Sequence, residues 1–165
     1  MTFNAYGCKG YLKSAGTTVS TGSVDSQGNP SLVTASLVIP PVTPLPGSPT
    51  TAVMAVRSYL AGDTCPAIVP CNFTVQLLNK LPIENDGAHS ATLTVNCGTL
   101  CTTLTIWFQQ DEATGTTEPL PPCLPIIIPS LLTGSTACYE LALNGSITVR
   151  NVTNVNDWKV MGIGT

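Results

Sequence analysis

The chain reads as an all-β protein, a β-sandwich or jelly roll of about eight antiparallel strands with an extended N-terminal arm, and three observations predict it. Threonine, glycine and proline dominate together, with 24 threonines, 14 glycines and 14 prolines in 165 residues. That mixture joins residues that favour pleated strands to residues that punctuate turns. Several short runs alternate apolar and polar side chains with a period of two, as a strand buried on one face requires. No amphipathic helical period and no internal repeat is found. At this length the chain is most simply one domain with a core of its own, so cysteine bridges would serve durability.

Residues 1–30 are rich in Gly, Ser and Thr and suit an N-terminal arm or a short first strand, with residues 31–165 forming a single sandwich domain. Residues 31–39 read as a strand that stops at Pro40-Pro41, and the proline-rich run to Pro49 is an extended connection. Pro41 and Pro44 have the spacing of a docking ligand, but no basic residue flanks them, so they belong to a plain loop. Residues 51–60 are the next strand, followed by Gly62-Asp63 and a tight segment holding Cys65 and Cys71. Phe73, Val75 and Leu77 alternate with Thr74 and Gln76, giving one core-facing side.

After the turn chemistry of Asn85-Asp86-Gly87, Ala91, Leu93 and Val95 alternate with threonines, and Leu104, Ile106 and Phe108 do the same. That second alternation leaves Trp107 on the opposite face, as an exposed aromatic suited to stacking on a sugar or packing into a neighbouring subunit. Residues 111–122 are a polar, then proline-rich loop, and Ile126-Ile127-Ile128 is either a buried strand or an extended crossover. Tyr139, Leu141 and Leu143 precede Asn144-Gly145, the dipeptide best suited to a two-residue turn, and Ile147 and Val149 follow it, which makes a C-terminal hairpin. Residues 158–163 supply the last strand.

Charged residues make up only 9% of the chain, against roughly 25% in an average domain. None occurs between Asp25 and Arg57 or between Glu118 and Glu140. Six basic against nine acidic residues give a net charge of -3, with no basic stripe to neutralise phosphates, so no nucleic-acid partner is expected. The greasiest stretch, residues 124–132, is broken by Pro125 and Pro129 and falls short of the eighteen or so residues of a span, so no membrane insertion is expected either. Met1-Thr2-Phe3-Asn4-Ala5 shows neither a charged nor an apolar signal region, while the cysteine usage is extracellular in style. Either the numbering starts at an artificial Met after signal removal, or the protein reaches an oxidising environment without classical secretion, as by release of a finished particle on lysis; in both cases the expected location is extracellular or on a cell surface.

Seven thiols, seven choices of the odd one and fifteen pairings of the rest leave about 105 frameworks formally open. Spacing narrows them. Cys97 and Cys101 bracket Gly98-Thr99-Leu100, and a three-residue hairpin loop would bring them to bonding distance, whereas a continuous strand would hold them about 13 Å apart. Cys65 and Cys71 enclose a loop containing Pro66, and Cys123 with Cys138 closes the segment between them. This choice leaves Cys8 over, either as a free thiol or as a bond to another subunit. A zinc site is not expected, since the spacings are three, five and fourteen residues rather than two close thiolate pairs.

His89, beside Ser90 and three residues after Asp86, is read as a loop histidine, because a triad is defined by geometry and no G-x-S-x-G elbow is present. Glu84 with Asp86 and Asp111 with Glu112 are read as solvated loop charge rather than a calcium site or a glycosidase pair. Asn72, Asn144 and Asn151 head N-x-S/T sequons of the kind a threonine-rich chain produces by chance. Neither an enzyme, a cofactor nor a metal is expected. The leading expectation is a structural subunit that polymerises with itself through its arm and sheet edges, since six cations leave little to guard an edge strand. A glycan-binding or adhesin-type module using Trp107 is the runner-up, and a viral coat or tail jelly roll is a variant of the first.

The signal-less start, the cysteine-bearing arm and the charge-poor, threonine-rich sandwich together resemble the subunits of bacterial endospore appendages, which assemble in the mother cell and are freed on lysis. The resemblance implies a pilus-like filament in which the N-terminal arm crosses to a preceding subunit and forms disulfides there. It gives that role to Cys8. Arms of that family hold closely spaced cysteines, whereas this one has a single cysteine.

Overall fold

A computed structural model describes residues 3–60, 65, 71–79, 91–101, 105–123, 137–142, 145–152 and 157–163. The described residues form two antiparallel sheets packed as a β-sandwich, with eleven strands rather than about eight. Helical structure among them is limited to one 3-10 turn, Gly98–Leu100. No helix among them is long and apolar enough to cross a membrane.

The six-stranded sheet runs β1 (Ala5–Leu12), β4 (Thr51–Leu60), β5 (Phe73–Asn79), β11 (Asp157–Ile163), β7 (Ile106–Asp111), β8 (Thr116–Pro119). The five-stranded sheet runs β2 (Thr17–Ser20), β3 (Thr34–Ile39), β6 (Ala91–Asn96), β10 (Ser146–Val152), β9 (Cys138–Leu141). Each inward face is apolar at alternate positions, as period-two patterning demands. Met54, Val56, Phe73, Val75, Leu77 and Val160 meet Leu37, Leu93, Val95, Ile147 and Val149 in one core. The outer face of the five-stranded sheet is polar, and one row crosses it as Ser20, Ser36, Thr94, Thr148 and Glu140 in register.

Three sequence expectations are corrected. Of the arm or short first strand expected over residues 1–30, residues 5–20 take the strand form and not the extended arm: β1 pairs with β4 along all eight of its residues and β2 pairs with β3. Buried Asn4 fastens the start of β1, since its side-chain oxygen accepts from the Val33 amide at 2.8 Å and its own amide donates to the Ser58 carbonyl at 2.8 Å. β8, where a loop was expected, is a strand that tolerates Pro119 because it lies on an edge. Cys97 and Cys101 do not flank a hairpin, because β6 and β7 belong to different sheets and the 3-10 turn between the cysteines begins the crossing. Residues 126–128 lie outside the described residues.

The remaining hairpin expectation meets a simpler answer. β9 and β10 are adjacent and antiparallel, and Gly145 takes φ of +77° at the turn, a conformation that costs glycine little. Asn144 and Leu143 lie outside the described residues.

Candidate functional site

The disulfide framework leaves one exposed thiol. Cys65 is bonded to Cys71, Cys97 to Cys101 and Cys123 to Cys138, with Cα–Cα separations of 5.6, 5.3 and 4.9 Å, and Cys8 is free. Each separation lies in the range a disulfide requires. Three such bonds mark an oxidising, non-cytoplasmic environment.

Cys8 sits in the middle of β1, opposite Ala55, on the edge of the six-stranded sheet. Ala5 and Tyr11 point inward, so the alternation turns Tyr6, Cys8, Gly10 and Leu12 to the outer face. There Tyr6 lies opposite Arg57. Phe3 stacks on Tyr6 at 5.2 Å and meets Tyr59 at 5.4 Å, and the Arg57 guanidinium lies 5.1 Å from the Phe3 ring centre and 5.7 Å from that of Tyr6. Arg57 Nε is buried and makes no hydrogen bond among the described residues, so ring faces take the place of an acceptor. Tyr6 is 43% exposed. Its hydrogen bond with Cys8 pushes the phenol above its ordinary pKa; desolvation and the Cys8 charge add to this, while Arg57 pulls the other way.

The backbone shows which edges are open. Lys13 N–H donates to the Thr50 carbonyl at 2.9 Å, in register with β1 and β4. In an antiparallel ladder the odd-numbered residues of β1 therefore bond to β4, and the even-numbered ones direct their N–H and C=O groups outward. The Tyr6 carbonyl is covered, accepting from Gly22 N–H at 3.0 Å. Close by, Gly7 passes the end of β2 so tightly that a Cβ there would lie 2.1 Å from the Ser20 carbonyl oxygen. From Cys8 to Gly10 the edge is exposed.

The far edge of the other sheet is closed differently. Residue 122 bridges in parallel to Tyr139 of β9; Cys123 N–H donates to the Tyr139 carbonyl at 2.8 Å, and Tyr139 N–H to the Pro121 carbonyl at 2.9 Å. The Cys123–Cys138 bond clamps that segment in place.

Trp107 is not an exposed contact. It is 2% exposed and faces the core, while its neighbour Ile106 is 53% exposed. The reason lies in the partner strand: Trp107 is opposite Gly162, which is itself opposite Phe73, and the glycine leaves room for the indole against the Phe73 ring at 5.5 Å. Phe108 is also largely covered, on the other side of the sheet, where it packs against Cys71 and Met161. Because the strand carries apolar side chains on both faces, alternation alone does not reveal which side of it is the core.

Glu112 accepts from Gln76 Nε2 at 2.8 and 3.1 Å and lies 3.8 Å from Lys159 Nζ, so it is a structural carboxylate. The described residues hold no group of three or more His, Cys, Asp or Glu placed to bind a metal. His89, Ser90, Glu84 and Asp86 lie outside the described residues. Asn151 is exposed, with φ of 60°, within the β10 irregularity.

The residues around Cys8 escape sequence reading because Tyr6 and Arg57 meet only through strand register across some fifty positions. Compared with known proteins, the chain matches no family model, no curated protein and no solved structure.

Proposed function

We propose that this chain is a self-assembling structural subunit of an extracellular or spore-surface filament or coat, in which sheet edges associate and Cys8 forms the covalent link between copies. The observation that carries the reading is the one exposed thiol on an edge strand, left after the other six cysteines are paired within the chain. Two Cys8 thiols give up two protons and two electrons to an external oxidant, such as a small-molecule disulfide or dioxygen, and form one S–S bond. The gain is mainly kinetic, as resistance to heat, drying and protease. β1 takes the place of a free arm.

Aromatic residues and arginine are favoured at protein interfaces, and Phe3, Tyr6 and Arg57 flank the thiol. Native protein should run as a dimer on a denaturing gel, the limit for one linking thiol per chain, and collapse to monomer with reductant, and negative-stain microscopy should show particles. A monomer band in both lanes, no particles and an unmodified Cys8 thiol by mass spectrometry would refute the proposal.

A further inference from the structure

We infer that the two edges of the six-stranded sheet are complementary and join head to tail, β8 of one copy to β1 of the next, with Glu118 opposite Lys9. This rests on the assembly reading above and names its surfaces.

The first argument is topological. Every neighbouring pair in the sheet is antiparallel and the number of strands is even, so β1 and β8 run in opposite directions. A second copy set beside the first by translation, with the sheet's usual twist, therefore meets β8 with an antiparallel β1 and keeps its inner and outer faces aligned. Such a joint is heterologous and leaves a free edge at each end, so it extends without closing.

The second argument is charge. On this sheet Lys9 and Arg57 lie on β1 and β4, whereas Asp111, Glu112 and Glu118 lie on or beside the β7–β8 hairpin. Lys9 and Glu118 are both exposed, and neither has an ion-pair partner among the described residues. They also point to the same side of the sheet. Lys9 is opposite Met54, a core residue, and Glu118 is opposite Gln109, which is opposite core residue Val160. A lysine at an edge normally discourages pairing. An acidic edge is the partner that turns it into an attraction.

The third argument sets the register. Leu120 N–H donates to the Trp107 carbonyl at 2.9 Å, so even-numbered residues of β8 bond to β7 while Thr117 and Pro119 face outward. On β1 the outward residues are Cys8 and Gly10, and Gly22 blocks the edge at Tyr6. Setting Thr117 against Gly10 lets both exchange hydrogen bonds, places Glu118 against Lys9, and lets the Pro119 carbonyl accept from Cys8 N–H. The missing N–H of Pro119 then lies where the ladder ends. The Cys8 thiol stays on the outer face beside the joint, free to bond across to another row of subunits.

The test separates the joint from the covalent link by working in full-length protein carrying Cys8→Ser. Sedimentation velocity should show that this protein still associates. Lys9→Glu or Glu118→Lys should each weaken association by roughly tenfold or more, with circular dichroism unchanged. An equimolar mixture of the two reversed proteins should associate again, since each supplies the edge the other lacks. Single reversals that associate like their parent would overturn the joint, as would a mixture that stays monomeric. If Cys8→Ser protein is monomeric while unmodified protein forms reducible dimers and nothing larger, the edge joint falls and the disulfide link stands. If unmodified protein never associates, both fall.

Discussion

Replacing Trp107 by alanine removes the largest fully buried side chain of the core, and the structure fixes what that should cost. The indole meets Phe73 nearly edge-on at 69° and lies 6.1 Å from Tyr139, bridging the two sheets. A buried tryptophan covers roughly 150–250 Å², which at about 25 cal/mol per Å² is about 4–6 kcal/mol of apolar transfer. Large-to-small changes of this kind measure about 3–5 kcal/mol. For a domain of this size that lowers the melting temperature by roughly 10 °C or more.

A second substitution separates burial from hydrogen bonding. Trp107 Nε1 is buried without an acceptor among the described residues, so Trp107→Phe removes an unsatisfied donor while keeping a ring. The relief of about 1–3 kcal/mol for the orphan N–H offsets much of the lost area, and the variant should stay within about 1.5 kcal/mol of the parent. Denaturant titration measures both differences, and quenching by a polar solute should leave most tryptophan emission untouched, since Trp158 is also buried. An alanine variant as stable as the parent, or emission quenched as freely as that of an exposed indole, would refute the inward placement of Trp107.

Gly7→Ala places a methyl group on the Ser20 carbonyl, so the β1–β2 corner must open; a loss of about 1–3 kcal/mol in thermal or denaturant unfolding is expected. The same change at Gly10, whose nearest such contact is 3.9 Å away, should be much milder in the same assay. Tyr6 should titrate above the ordinary tyrosine value of about 10 by tyrosinate absorbance, with Tyr6→Phe identifying its signal, and Cys8→Ser should bring it down. A pKa raised in the folded state favours the protonated phenol. Its contribution to stability is thus present below the unfolded pKa and lost as pH rises through the higher folded value.

Much of the sandwich was legible because its strands obey a simple alternation. Ala91, Leu93 and Val95 are buried with threonines between them, and Phe73, Val75 and Leu77 line the same core. The failures have physical causes. β1 is interrupted by Gly7 and Gly10 and β2 is only four residues long, and their order comes from long-range ties such as Asn4 to Val33 and Ser58. β7 carries large apolar side chains on both faces, Trp107 inward and Ile106 and Phe108 outward, which removes the distinction that alternation depends on. The cysteine without a near partner was visible as such, but the rings and guanidinium around it depend on pairing between distant strands. The opposed charges of the two sheet edges needed the strand order, which no local pattern contains.

The clamp at Cys123 and Cys138 has a mechanical meaning. A pull on β8 reaches Cys123 within four residues of the end of that strand, and the sulfur bridge carries it into β9 of the opposite sheet. Tension that would otherwise peel one edge strand away, breaking its few hydrogen bonds in turn, is divided between both layers of the sandwich. Load applied to β8 would then have to shear one sheet past the other before that edge unzipped.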